Sequence, residues 1–439
     1  MANDTSNLKL NEEQQKAVKH GGGPLLIIAG AGTGKTTVIT ERIKYLILGK
    51  KAKPDEILAL TFTEKAAREM EERVDIAMPY GYTQMWISTF HSFCDRILRQ
   101  EALHIGLDPR YKLMTEAEAV QLIRNNLFKF DLNYFRPLGN PTKFIDGMLQ
   151  HFSRLQDEDV TPSDYVAWVN LKFKIKNLKL SDEEKIERAK YKELASAYKT
   201  YDELKVKNGL MDFGDLIVKT LKLFRVRPNV LKQYQEQFKY ILIDEFQDTN
   251  YAQNELAILL AKTHPTSHKA SRGEENITVV GDDDQSIYRF RGAAVSNIVQ
   301  FRKNFPKAKI VTLVKNYRST QEILDRAYDL IQHNNPDRLE SIEKIDKKLI
   351  AVAGSKQHVA GGEIQFIHAD RVENEADEAA KVIKRLSDEE KYKWSDFAIL
   401  VRANNHSEPF MRALSRQAIP YQFLGPGRLF RQPEVVDLI

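Results

Sequence analysis

The chain of 439 residues is 42% hydrophobic and 29% charged, the balance of a soluble globular protein long enough for two or three domains with ordinary cores. No uncharged apolar run reaches membrane-spanning length, MANDTSNLKL lacks the basic-then-apolar order of a signal peptide, and the single Cys94 cannot form an internal disulfide; together these predict a cytoplasmic protein with no membrane partner. A net charge of +5, from 66 basic and 61 acidic residues, is too mild to argue for a polyanion partner, so any such case rests on local arrangement.

The first informative segment is PLLIIAGAGTGKTTVITERI. Pro24 to Ala29 is a β-prone apolar run, Gly30 to Gly34 a glycine-rich loop, and the residues from Thr36 onward have helical periodicity in Val38, Ile39, Ile43, Leu46 and Ile47. Strand, glycine loop, Lys-Thr and helix in that order predict a phosphate-binding loop, because glycines let successive backbone amides wrap phosphate oxygens at the positive end of a helix. Lys35 then reaches the β- and γ-phosphates, and Thr36 offers a hydroxyl to Mg²⁺. The first position is Ala29 rather than glycine, one methyl group away from the strict pattern. Cys94, in HSFCDRIL, reads as a small buried residue of a helix.

Further along, LKFKIKNLKL at 171–180 alternates lysine with apolar residues, which suits a strand better than a helix; it is equally a contact for duplex phosphates and a solvated basic face. SDEEKIERAK and the residues after it predict a long helix, with Ser181 as N-cap, acids in the first turn and Gly209 at its end. Tyr240 to Ile243 is a second buried strand, ending in Asp244-Glu245: Asp244 to hold the magnesium shell, Glu245 to accept a proton from an attacking water. PTSHKASRGEEN, 265–276, reads as a surface loop. A third strand, NITVVGDDDQ, places Gln285 at its tip, where it can sense a γ-phosphate. Asp282, Asp283 and Asp284 suit a solvated turn or a cation. Tyr288, Arg289, Phe290 and Arg291 alternate ring and guanidinium, as a surface that stacks bases would, and the two rings suit a core equally well.

With LNEEQQKAV at 10–18, AGAGTGKT at 29–36, LALTFTEKAAREM at 58–70, ISTFHSFCDRIL at 87–98, MDFGDL at 211–216, LIDEFQDTN at 242–250, VVGDDDQSIYRFRGA at 279–293 and VKNYRST at 314–320 in this order, the chain resembles the superfamily 1 DNA helicases of the UvrD/Rep/PcrA type over nearly its whole length. The resemblance implies an α/β P-loop NTPase: a RecA-like parallel-sheet domain formed by 1–105 and 210–325, a helical insertion at 106–209, and part of a second RecA-like domain at 326–439. It implies ATP and Mg²⁺ as cofactors, single-stranded DNA and its junctions with duplex as partners, and 3′→5′ movement in DNA repair, replication or recombination.

Carried over by position, Gln14 would recognise the adenine edge, Tyr317 would stack on the base, and Gln285 and Arg318 would sense the γ-phosphate from opposite sides. Ala29, Gly30, Ala31, Gly32, Thr33, Gly34, Lys35, Thr36 and Thr37 would cradle the nucleotide, with Thr37 standing where many relatives have an arginine. Phe62, Thr63, His91, Tyr288, Phe290, Arg291, Arg402 and Asn404 would line the DNA path. The sequence ends at PEVVDLI, ahead of the family's last motifs, so residues 1–439 alone are expected to hydrolyse ATP slowly and to separate no strands. Two further readings stand beside the translocase: an ATP-gated DNA-binding subunit of a recombination helicase-nuclease, and a small-molecule kinase built on the same loop.

Overall fold

The computed structural model describes residues 10–76, 85–174, 181–262, 275–287, 296–352 and 364–424. Two compact units divide the chain at 359/360.

In the first unit, strands β1 (Leu25–Ala29), β2 (Ile57–Thr61), β3 (Trp86–Thr89), β6 (Tyr240–Ile243), β7 (Ile277–Gly281) and β8 (Lys309–Leu313) form one sheet, while β4 (Lys112–Leu113), β5 (Leu210–Met211), β9 (Lys315–Asn316) and β10 (Ile350–Ala351) make two short pairs. The six-stranded sheet has the order β3-β2-β6-β7-β1-β8, with every pairing parallel. Parallel strands need crossovers, and helices supply them on both faces, so the inner strands β1, β2 and β7 are buried along their whole length and β6 nearly so, while the edge strands β3 and β8 are partly exposed. In β1, Leu25, Ile27 and Ala29 enter the core beneath the helices Glu12–Val18, Lys35–Leu48 and Glu64–Asp75; Leu26 and Ile28 enter the opposite core. The strand and helix expected from PLLIIAGAGTGKTTVITERI are as read, as are the strands at Tyr240–Ile243 and Ile277–Gly281.

The chain leaves the sheet through β4 and returns through β5, which pair in parallel at Lys112↔Leu210. Between them lies a helical subdomain with its own core, built from Ile123, Phe130, Phe152, Tyr198, Tyr201 and neighbours. Its longest helix, Asp182–Lys207, starts where expected: Ser181 and Glu184 form a capping box, and Gly209 follows with φ +62°. The expectation of a strand at 171–180 is corrected for its first part, since Pro162–Lys174 is helical; 175–180 lie outside the described residues. Lys172 belongs to a side-chain cluster, with its ammonium 4.1 Å from the Tyr191 ring centre and 3.2 Å from Glu187. Cys94 lies in the helix Phe90–Glu101 and is fully buried. Of the loop expected at 265–276, only 275 and 276 are described.

A buried ionic cluster holds the subdomain to the sheet domain. Lys205 Nζ lies 2.7 Å from Asp212 and 2.6 Å from Asp215, while Gln156 donates to both carboxylates. The second unit, by itself, packs helices Val372–Glu390 and Glu408–Arg416 through Ala376, Ala380, Ala413 and Leu414, and its described residues contain no strand.

Candidate nucleotide and nucleic-acid site

The strands β1, β2, β3, β6 and β7, which lead into predicted residues, end at the same edge of the sheet, because all run in one direction. The loop after β1 folds back on itself through its own carbonyls. Thr33 Oγ1 donates to Gly30 O at 2.8 Å, Asn316 Nδ2 to Ala31 O at 2.6 Å, Tyr317 N to Gly32 O at 2.9 Å and Gln14 Nε2 to Thr33 O at 3.0 Å. With four successive carbonyls engaged, the first-turn amides of the helix Lys35–Leu48 are what remains for an anion. Gly32 (φ +75°) and Gly34 (φ +87°) are left-handed, and a Cβ on Gly32 would stand 2.7 Å from Arg318 Cβ. The glycines are therefore needed both for the turn and for the approach of the segment carrying Tyr317 and Arg318.

Lys35 Nζ lies 2.7 Å from Glu245 Oε2 and 3.1 Å from Gln285 Oε1, so three residues separated by 210 and 250 positions in sequence meet at one ammonium. Thr36 Oγ1 donates to Asp244 Oδ2 at 3.2 Å. Burial, and then the charge of Glu245, push the Asp244 carboxyl up to about 6 against the pull of Lys35 and its hydrogen bonds. A hydroxyl and a buried carboxylate side by side are hard oxygen donors of the kind that hold Mg²⁺ through a few protein ligands, leaving the remaining positions for water and phosphate. The donor set fits the ion.

Glu245 is a non-glycine residue with φ +49°, ψ 44°, at the turn immediately after β6. A strained backbone that aims a carboxylate at the phosphate loop is a feature typical of functional sites. Gln247 supports it: Nε2 donates to Glu245 Oε2 at 2.7 Å, and Oε1 accepts from Asp282 N at 3.1 Å, which ties the tip of β6 to that of β7. Gly281 makes room, since a Cβ there would come within 2.7 Å of Gln247 Oε1. Asp248 is also pushed up to about 6, by burial and then by Glu245.

The aspartate run is not a solvated turn. Asp282 and Asp283 are buried, and all three carboxylates surround the ammonium of Lys347. Sequence reading missed Lys347, Gln247 and Asn316; the LIDEFQDTN and VKNYRST strings contain the last two, but nothing local shows what their amides hold.

Ahead of β1, Asn11 and Gln14 form a capping box for the helix Glu12–Val18, and Asn11 Nδ2 donates to the Tyr317 hydroxyl at 2.9 Å. Gln14 is 5% exposed and already bonded at both ends of its amide, with Oε1 accepting from Asn11 N. Thr37 is half-buried in the first turn of the next helix, and Arg318 is exposed at the rim.

Among residues expected on the DNA path, Phe62 and Thr63 follow β2 and His91 follows β3. Thr63 is exposed and its hydroxyl caps the helix Glu64–Asp75, accepting from Ala66 N. Glu64 bridges the two tips, accepting from Thr89 Oγ1 at 2.8 Å and Ser92 Oγ at 2.6 Å. Burial lowers the pKa of His91, with the Glu64 charge opposing, and its ring packs edge-on against Phe213, which is 53% exposed. Phe213 is thus an exposed aromatic beside His91 that sequence reading left without a role. Tyr288, Phe290 and Arg291 lie outside the described residues, and Arg402 and Asn404 are exposed on the second unit.

Comparison with known proteins adds the following. Residues 10–306 match the family model described as the UvrD/REP helicase N-terminal domain, and 311–439 match the UvrD-like helicase C-terminal domain. The chain is 36% identical over 432 residues to the ATP-dependent DNA helicase PcrA of Bacillus subtilis, covering 98% of this chain and 52% of that protein. It is 35% identical over 442 residues to the PcrA of Leuconostoc citreum (100% and 53%), and 36% identical over 434 residues to that of Staphylococcus aureus (98% and 53%). The chain spans about half the length of these relatives.

Proposed function

This chain belongs to the UvrD/REP helicase family, and on that premise we propose that it is the ATP-hydrolysing part of a DNA translocase that moves 3′→5′ on single-stranded DNA and separates duplex ahead of it. The supporting observation is the convergence of Glu245 and Gln285 on the Lys35 ammonium beside Thr36 and Asp244.

In this arrangement Lys35 is shared. A γ-phosphate reaching its ammonium competes with Glu245, and the carboxylate so released is free to accept the proton of an attacking water. Gln247 keeps it aimed. Thr36 and Asp244 would hold Mg²⁺, which when bound would supply positive charge to offset that of the phosphates. Gln14, Asn11 and Tyr317 receive the base, while Gln285 and Arg318 approach the γ-phosphate from two sides. Phosphoryl transfer asks little covalent chemistry of the protein, and positioning with charge stabilisation supplies most of the rate.

The tips of β2 and β3, with Phe62, Thr63, His91 and Phe213, offer a DNA surface on the first unit; Tyr288, Phe290 and Arg291, and separately Arg402 and Asn404 of the second unit, are further DNA contacts on the family resemblance. The accompanying domain division keeps 1–105 with 210–325 as the first RecA-like domain, 106–209 as its insertion and 326–439 in the second, with the protein cytoplasmic. No described helix is long and apolar enough to cross a membrane. Family membership leaves the small-molecule kinase reading without support.

The test of direction is strand separation, by the protein to which this chain belongs, on duplexes bearing either a 3′ or a 5′ single-stranded tail. Unwinding of the 3′-tailed duplex alone is expected. Preference for the 5′ tail would overturn the polarity, and separation of both without ATP would overturn the motor.

A further inference from the structure

The carboxylates of Asp282, Asp283 and Asp284 lie within 4.8 Å of one another, a grouping that could hold a metal ion. The protein supplies its own cation. Lys347 Nζ is 2.7, 2.5 and 2.8 Å from one oxygen of each carboxylate, with its side chain 4% exposed. Arg338 grips Asp284 through Nε at 2.8 Å and Nη2 at 2.7 Å. Burial works against the charged ammonium, but the three carboxylates outweigh it and hold the pKa of Lys347 above the ordinary lysine value. A buried cation satisfied this fully is costly to assemble, and removing one partner leaves uncompensated charge, so its place in the network matters more than its count of contacts.

That place is one residue from the site. Asp282 accepts from Lys347 through Oδ1, and through Oδ2 from Gln285 Nε2 at 2.6 Å. With its amide nitrogen held there, Gln285 turns its Oε1 to Lys35. On the other side of Lys347 the chain runs directly into Leu349, whose Cδ1 would be 2.9 Å from a Cβ on Gly30, and then into β10. This strand pairs with β9 at Ile350↔Lys315 and Ala351↔Asn316, immediately before Tyr317 and Arg318. One short segment thus touches the tip of β7, the phosphate loop and the strand that carries Arg318.

We propose that Lys347 is a positioning residue for the γ-phosphate: through Asp282 it fixes the rotamer of Gln285, and through β10 it joins Gln285 to the Arg318 segment, so that the two sensors respond to the terminal phosphate as one piece. The inference rests on the nucleotide reading above and assigns a role to a lysine outside the motifs that carry the family resemblance.

The test is nucleotide affinity, measured by competition with a fluorescent nucleotide, for a non-hydrolysable ATP analogue and for ADP. Lys347→Met should lower the ratio of the two affinities about tenfold, the scale of one hydrogen bond to a charged group, while ADP affinity stays unchanged. Gln285→Ala should lower it equally, the double variant no further, and Lys347→Arg should restore most of it. If Lys347→Met gives no folded protein by circular dichroism, Asp282→Asn severs the same path and must show the same loss. A ratio equal to wild type, or weakening of both nucleotides alike, would reduce Lys347 to a structural ion pair and overturn the proposal. A wild-type protein that bound neither nucleotide would instead overturn the nucleotide reading, and this inference with it.

Discussion

Glu245 carries the sharpest single-residue consequence. Its carboxylate is held by Lys35 and Gln247 and its backbone is left-handed, so Glu245→Gln keeps the shape of the turn while removing the negative charge and, on the proposed mechanism, the base. Turnover should fall by roughly 10²-fold or more, the scale of a lost general base, with nucleotide affinity retained. Loss of binding in a quench-flow and fluorescence comparison would make Glu245 a structural residue. Lys35 and Thr36 were legible because a glycine loop joins an apolar run to a helix, Asp244 and Glu245 because they stand directly after an apolar run, and Gln285 because it lies at the polar tip of a third such run, and parallel strands bring such ends together. Gln247, Asn316 and Lys347 were not. Their partners lie 35 residues away for Gln247 to Asp282, 285 for Asn316 to Ala31 and 65 for Lys347 to Asp282, and side-chain amides and ammoniums carry no periodicity.

Elements were legible where one pattern had one interpretation. Residues 171–174 had two, since lysine at every second position fits a strand, yet the segment is helical and Lys172 is drawn onto the Tyr191 ring, a tertiary contact that local alternation does not encode. The attachment of the helical insertion was hidden in the same way. MDFGDL shows two aspartates, Asp212 and Asp215, but not that Lys205, 1% exposed, comes from the preceding helix to neutralise them. Burial and then the neighbouring Asp212 charge push Asp215 up to about 6 even with that lysine present. Lys205→Met should therefore leave two buried carboxylates without their cation and cost about 3–5 kcal/mol of stability at neutral pH, the range for breaking a buried pair. Urea denaturation followed by circular dichroism measures it. A loss below about 1 kcal/mol, the scale of an exposed pair, would show that the cluster does not anchor the subdomain.

At the scale of the whole chain, the account joins two functions at one sheet edge. On the proposed function, the tips of β1, β6 and β7 take the nucleotide and the neighbouring tips of β2 and β3, bridged by Glu64, take the nucleic acid. β2 pairs with β6 along Ile57↔Tyr240 to Leu60↔Ile243, so on the proposed function the strand before Asp244 and Glu245 and the strand before Phe62 and Thr63 are direct neighbours through which the two sites are expected to couple. The most direct measurement of this coupling is the rate of Mg·ATP hydrolysis with and without single-stranded DNA, in wild-type protein and in Lys35→Ala. The account predicts hydrolysis that rises when DNA is added, and a folded Lys35→Ala that still binds DNA but hydrolyses ATP in neither condition. Wild-type turnover in Lys35→Ala, or a wild-type rate indifferent to DNA, would contradict it.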